Sequence, residues 1–585
     1  MVEVPSFKER VALDPITYQV IFHRLSGIVR EMQQVIHRTG FSTIIRESYD
    51  TSCAILTPDG KVAGQHVILP LHMGAFPACI QGILRHYPVG QIYEGDAFVL
   101  NHPYEGGSPH AMDMAVVTPV FYGGRLVAFC ANMAHKSDIG GMVPGSAAGN
   151  ATEIFQEGLH VPPVQFMNNF KIVPEVEAIL RCNSRTPDLI LGDLHGQVGT
   201  NRIGEKRVQA LLDKYGEDLF LAVLQELFER TERRVRGILA QWPDGTVEEE
   251  GFIESDGIDL DHPVGIRVRV EKQGEKLRFD FQGSDDQTRG PANIRPPLVR
   301  SCCHYAFLAV SDPEIPNNDG LAQALQIDTR RGSILDPKFP GSLTSYASTA
   351  QIVMEICIAA LCRLSGRQGI AESGGGLAIT LGGTRSRTGS AYVQYEILGS
   401  ALGARSRKDG VSGITVHLAN CKVTPVEILE TEFPVRVLCF EFVTDSGGAG
   451  RYRGGLGFRR EYEILSEEAR FTLRGDKFVL SARGRAGGMP GRSGRCLIVR
   501  KDGSSEKLPS KVSDLNVYQG DRLLLERPGA GGYGPPAARP ATAVLEDVLE
   551  GSVSLPQARD IYRVAIDAST MKIDERSTQS LRSLR

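Results

Sequence analysis

A chain of 585 residues exceeds what one hydrophobic core serves, so two to four domains are expected. With 42% hydrophobic and 23% charged residues, the composition is that of a folded globular protein and excludes general disorder. A net charge of -4 with no Lys/Arg block excludes the electrostatic footprint of a nucleic-acid binder, and no uninterrupted apolar stretch approaches the roughly 20 residues that a membrane span needs.

The first residues contain no apolar h-region and no basic n-region, so no secretory leader is expected. Asp14-Pro15 then reads as an N-cap followed by proline at the first helical position. Apolar residues recur at helical spacing from Ile16 to Ile36, up to a stop at Gly40. Residues 52–64 read as a hairpin turning at Pro58-Asp59-Gly60. Residues 95–133 are strand-like, with a second hairpin across Gly123-Gly124. Residues 205–240 return to helix, with Gly216 as a point of interruption. Residues 265–284 alternate with period two around Gln273-Gly274, and residues 345–364 form a further helix. From about residue 370 short strands alternate with Gly/Arg/Ser loops, and the tail carries two helical stretches, AVLEDVLEG and LPQARDIYRV.

These elements predict an α+β, multidomain protein with mixed or antiparallel sheets, long helices in the N-terminal half and a β-rich C-terminal half. The divisions expected are 1–245, a β-ribbon region over 246–345, a mostly β domain over 346–540 and a helical tail over 541–585. The eleven cysteines include one adjacent pair, Cys302-Cys303, and no CxxC, which points to reduced thiols and a cytoplasmic protein.

Among the 13 histidines, His23, His37 and His86 lie on helical patterns and read as structural. The stretch NHPYEGGSPHAMDM differs. His110 and Asp113 lie three apart after a glycine-rich turn, and His135 follows at the far end of the next hairpin. Two imidazoles and a carboxylate suit Mn²⁺, Zn²⁺ or Fe²⁺ and leave coordination positions open for water and substrate. A two-residue turn at Gly123-Gly124 pairs Asp113 with Ala134, which places His135 on the opposite face, so the trio also requires a bulge or a three-residue turn. A polar hairpin end is the alternative reading. Asp138, Glu153 and Glu157 follow closely as candidates for a general base or for orienting the ligands, with exposed carboxylates as the alternative.

The segments NHPYEGGSPHAMDMAVVTPVF, AHKSDIGGMVPGS and EIFQEGLHVPP resemble the B subunit of ATP-dependent hydantoinases and 5-oxoprolinases, a family that includes the related large subunit of acetone and acetophenone carboxylases. RESYDTSCAILTPDGKVAGQHVILPLHMGAF, PVEILETEFPVRV, DSGGAGRYRGGLGFRREYEI and GAGGYGPP extend the resemblance, in collinear order, over more than 500 residues. The resemblance implies that a hydantoinase A-type subunit with an actin-like ATPase fold phosphorylates the substrate, using ATP that this chain does not bind. In the resulting hetero-oligomer this chain then completes the chemistry at a divalent metal held by His110, Asp113 and His135. The reaction expected is ring-opening of a cyclic amide such as a hydantoin, lactam or oxoproline, with Asp138 or Glu157 taking a proton and His72 contacting substrate. Ketone carboxylation and a scaffold role without metal are the alternatives. Many members carry N-D-P-Y where this chain has His102, read here as a turn-stabilising residue or an extra ligand. No G-x-x-x-x-G-K-[ST] loop is present, and Arg451, Arg453, Arg459 and Arg460 are candidates for holding a phosphorylated intermediate or contacting a partner.

Overall fold

The computed structural model describes residues 13–66 and 68–583, so the first residues, on which the expectation about a leader rests, lie outside the described residues. The first helix, Pro15–Thr39, is capped as its sequence predicts: the Asp14 carboxylate accepts from Thr17 N at 2.9 Å. Its stripe of Ile21, Leu25, Val29, Met32 and Ile36 is buried against a seven-stranded antiparallel sheet. In chain order the strands are β1 (Thr51–Leu56), β2 (Val62–Gln65), β3 (Ala97–Leu100), β4 (Asp113–Tyr122), β5 (Arg125–His135), β6 (Val164–Asn168) and β7 (Lys171–Ile172). Their order across the sheet is β2-β1-β5-β4-β3-β6-β7.

Both faces of this sheet are covered, which explains why β4 and β5 read as nearly continuous apolar runs. Met114, Val116, Ala128 and Cys130 face the long helices Pro15–Thr39, Pro187–Tyr215 and Glu217–Leu239. Ala115, Val117, Phe129, Ala131 and Met133 face the helix Ala75–His86, which supplies Phe76, Cys79 and Ile80. The helical stretch expected over 205–240 starts earlier, at Pro187, and breaks at Gly216, whose φ of 77° is cheap only for glycine.

A second layer is built on β8 (Gly245–Ile253), β9 (Val264–Gln273), β10 (Lys276–Asp280) and β11 (Leu325–Asp328), in the order β11-β10-β9-β8. The two-stranded ribbon expected around Gln273-Gly274 thus gains one strand on each side. The helices Pro296–Val310 and Tyr346–Leu364 pack on this sheet and on each other. The first gave no sequence signal because SCCHYAFLAV is apolar on nearly every side. Tyr346–Leu364 is apolar and long enough to cross a membrane, yet 89% of it is buried inside the fold, so its composition is that of a core helix.

The C-terminal half holds a four-stranded and a five-stranded sheet packed around Tyr462, Phe471, Ile498 and Leu525. Its glycine clusters are more than turns. The segments 446–457, 483–491 and 529–534 lie backbone against backbone, linked by bonds such as Gly448 N to Ala530 O (2.8 Å) and Gly532 N to Met489 O (3.0 Å). A Cβ on Gly454 would stand 2.0 Å from Ala530 O. The tail forms the two expected helices, Ala541–Leu549 and Leu555–Asp560, and a third, Glu575–Ser583. The fold is therefore α+β with predominantly antiparallel sheets.

Candidate metal centre

The hairpin β4–β5 solves its phase problem with a bulge. Gly123 and Gly124 both have positive φ (56° and 78°), as a two-residue type I′ turn requires, and Tyr122 pairs with Arg125 and Phe121 with Leu126. The next pair is Val120 with Ala128, so Val127 is the extra residue. Val127 and Ala128 point to the same core, whereas Leu126 points to the other. Beyond the bulge every pair is shifted by one, and Asp113 comes to lie directly opposite His135 on the face shared by Ala115 and Met133.

The remaining donor arrives through the 101–110 loop. Asn101 is fully buried and clamps that loop: its Nδ2 donates to Ala111 O (2.6 Å) and Leu159 O (2.9 Å), while its Oδ1 accepts from Val161 N (2.6 Å). Asp113 N donates to His110 O at 3.2 Å, closing the turn that aims the His110 ring at the hairpin end. One ligand atom from each of His110, Asp113 and His135 lies within 4.8 Å of the others. His110 Nε2 stands 3.3 Å from Asp113 Oδ2, and the two imidazole centroids are 5.2 Å apart.

All three side chains are buried, and Asp113 Oδ2 and both ring nitrogens of His110 and of His135 lack a hydrogen-bond partner among the described residues. Leaving that many buried polar atoms unpaired costs several kcal/mol by order of magnitude, unless a ligand satisfies them. The donor set fits a divalent cation. Burial holds the His110 and His135 imidazoles neutral, below the usual histidine range, which is the form that binds metal. Burial opposes ionisation of Asp113 too, but the His110 and His72 imidazoles beside it hold the carboxyl well below the usual range.

His72, which the sequence offers only as a substrate contact, joins the trio. It is fully buried on the short helical turn Pro70–His72, with Nε2 3.6 Å from Asp113 Oδ2 and Nδ1 hydrogen-bonded to Ser52 Oγ at 3.0 Å. Asp138 and Glu157 are placed differently. The Asp138 carboxylate accepts from Gly140 N, Gly145 N, Arg185 N and Arg185 Nη1, so both oxygens are committed to clamping the loop after β5. Glu157 Oε1 accepts from Ser342 Oγ, Leu343 N and Thr344 N, and burial pushes its carboxyl up to about 7. Neither carboxylate lines the cavity at the centre. His102 is also outside the group: its Nδ1 accepts from Tyr104 N at 3.2 Å and its ring stacks near Phe339.

A cavity of about 80 Å³ adjoins the imidazoles. Four side chains in its wall were not singled out from the sequence. Asp50 lies just before β1, and its carbonyl accepts from His135 N at 3.1 Å. Burial, reinforced by the charge of Asp113, pushes the Asp50 carboxyl well up. Tyr346, at the start of its helix, has its ring 4.7 Å from His110, and Tyr395 has its ring 4.4 Å from His135. Arg474 donates to Tyr395 Oη and to Thr344 O at the cavity's far side. The four arginines suggested by the sequence are elsewhere: Arg453 pairs with Asp547, Arg459 with Glu461 and Arg460 with Glu396, while Arg451 lies over the Tyr452 ring. A lone Arg in FTLRGDK carries no local pattern, so only the three-dimensional arrangement identifies Arg474.

Fold and site together define a chain with a buried His₂-carboxylate centre enclosed by three layers. Residues 14–536 match the family model described as hydantoinase B/oxoprolinase, and the chain belongs to that family. It is 30% identical to the caprolactamase subunit beta of Pseudomonas jessenii over 98% of this chain and 99% of that one. It is 28% identical to a 5-oxoprolinase of Dictyostelium discoideum, over 89% of this chain but only 40% of that longer one. The crystal structure of the ATP-dependent caprolactamase from Pseudomonas jessenii superimposes with a TM-score of 0.90 at 27% identity, covering 98% of this chain and 100% of that chain. A nucleotide-free acetone carboxylase shares the fold with a TM-score of 0.89 at 19% identity, over 97% of this chain and 82% of that chain.

Proposed function

We propose that this chain is the metal-bearing subunit of an ATP-dependent hydrolase that opens a cyclic amide, the amide being phosphorylated on a separate ATPase subunit of hydantoinase A type. The observation that carries the reading is the cluster of unpartnered, buried donor atoms on His110, Asp113 and His135 beside a small cavity. A divalent cation bound there supplies a Lewis acid that polarises a carbonyl oxygen and acidifies water. Mn, Zn and Fe all suit this donor set.

The chain's own residues divide the remaining work. His72, fixed by Ser52, orients the Asp113 carboxylate. Arg474 and the N-terminus of the Tyr346–Leu364 helix put positive potential on the wall facing the imidazoles, where negative charge develops on the amide oxygen and its phosphoryl group. Asp50 is the carboxyl placed to relay the protons of the attacking water to the departing ring nitrogen as the C–N bond breaks, which leaves an acyl phosphate that a second water hydrolyses to the acid and inorganic phosphate. Asp138 and Glu157 position the loops behind this wall, Glu157 acting through Thr344, whose carbonyl binds Arg474.

The test is His110→Ala and His135→Ala in the intact complex. Each variant is expected to lose its metal by elemental analysis and its ATP-dependent ring-opening, while still assembling with the partner. Ring-opening that persists in metal-depleted protein, or strict dependence on bicarbonate with formation of a C–C bond, would overturn the assignment.

A further inference from the structure

A second cavity, of about 660 Å³, is of the size that accommodates a small-molecule ligand. It shares Thr415, Val416 and Ala419 with the 80 Å³ cavity at the metal centre, so one short segment forms the partition between them. Its charged lining is all of one sign: Arg367, Arg405, Arg407 and Lys408, with no Asp or Glu. In a chain where most arginines are paired with carboxylates, none of these four has an ion-pair partner among the described residues. Arg367 Nη1 is held by the neutral carbonyls of Val310 and Ser311, which fix the guanidinium without forming an ion pair. Arg405 Nε is shielded from solvent with no hydrogen-bond partner. The nearest acid in sequence, Asp409, has both oxygens bound to Arg539.

Four like charges around one concavity repel one another, and their fields add in the space between them. An anion of high charge density with several acceptor oxygens relieves this arrangement best, and guanidinium groups recognise phosphate through paired N–H donors. We propose that this cavity is a phosphoryl-binding antechamber to the metal centre: Arg405 and Arg407, assisted by Arg367 and Lys408, hold the phosphate of a phosphorylated small molecule, or the phosphate it releases, on the outer side of the 415–419 partition. The inference rests on the proposed function for the identity of the phosphorylated compound, but not for the anion site itself. The 80 Å³ inner cavity is too small for a whole phosphorylated ring, so the bulk of such a ligand belongs in the larger space.

Titration of the full-length chain with inorganic phosphate tests the site. Saturable binding is expected, weakened about tenfold or more in an Arg405→Gln/Arg407→Gln double variant and largely restored in Arg405→Lys/Arg407→Lys. The metal content of the glutamine variant should remain that of the parent. His110→Ala should lose its metal yet still bind phosphate, which separates failure of this site from failure of the metal assignment. In the complex, relief of product inhibition by phosphate in the glutamine variant with KM unchanged assigns the site to released phosphate. A rise in KM for the cyclic amide assigns it to the phosphorylated substrate. Absence of saturable phosphate binding to the parent chain, or equal binding by the glutamine variant, overturns the proposal. So does loss of co-purification with the partner in the glutamine variant, which would make the cations a docking patch for an acidic protein segment.

Discussion

Asp113 and Asp50 show how one buried site gives two carboxyls opposite properties. Asp113 sits between imidazoles and is held ionised, whereas Asp50, buried and within range of that negative charge, is pushed toward its protonated form. Under the proposed function, the pair separates into a metal ligand and a proton carrier. Asp50→Asn keeps the volume and removes the titration, so it is expected to retain the metal and lose turnover by roughly two to four orders of magnitude. Unchanged turnover in Asp50→Asn would return the proton transfer to another group. Arg474→Gln keeps a donor toward Tyr395 and Thr344 but removes the charge. It is expected to lower kcat by about a hundredfold, with the metal retained. A change confined to KM would show that Arg474 binds the ground state only.

At the scale of elements, the hairpin β4–β5 shows how far the sequence could be read and where reading stopped. The turn glycines and the two apolar strands were visible, and an ideal ladder put His135 out of phase with Asp113 by one residue. The position of the correcting bulge was not visible, because Val127 and Ala128 are both small apolar residues whose adjacency is unremarkable in a strand buried on both faces. The candidate trio therefore rests, in the sequence, on residue type and family resemblance rather than on geometry. Asp50, Tyr346, Tyr395 and Arg474 were not legible, since they come from four separated segments. The bulge makes a sharp prediction. Deleting Val127 restores a regular ladder without changing the pairs from Val120–Ala128 to Asp113–His135. It should cost about 2–3 kcal/mol of buried side chain while the metal stays bound. Deleting Thr118 from β4 instead moves Asp113 to the other face and should abolish metal binding. Metal content of the two deletions distinguishes the cases, and loss of metal on removing Val127 would show that the bulge itself shapes the site. The glycine segments make a second prediction. Gly454→Ala places a methyl against the Ala530 carbonyl and should lower stability by more than about 2 kcal/mol, read as a fall in melting temperature, with no direct effect on the distant ligands. An unaltered melting temperature would show that the backbone packing there is loose.

For the whole molecule, the site's placement explains why expected divisions along the chain say little about function. The candidate ligands lie on the first sheet and the loop leading into β4, Tyr346 belongs to the helix of the second layer, and Tyr395 and Arg474 come from the C-terminal half, so the cavity exists only when all three layers are docked. Histidines outside the candidate trio also lose solvent in the fold. Burial pushes His37, His160 and His417 each down to about 4, and His304 down to about 3, from an ordinary value of 6.5. The unfolded chain therefore binds more protons than the folded one between about pH 6.5 and 4. Their stabilising contribution is complete above pH 6.5 and is lost as pH falls through that window, at roughly 1–2 kcal/mol per histidine near pH 5. Melting temperature should accordingly be nearly flat from pH 8 to 7 and fall steeply from about pH 6.5 to 5, in metal-loaded and metal-depleted protein alike. Replacing His304, which is not one of the candidate ligands, with Gln should flatten part of that slope. A slope seen only in the metal-loaded protein would instead place the acid sensitivity in His110 and His135, through protonation of the ligands themselves.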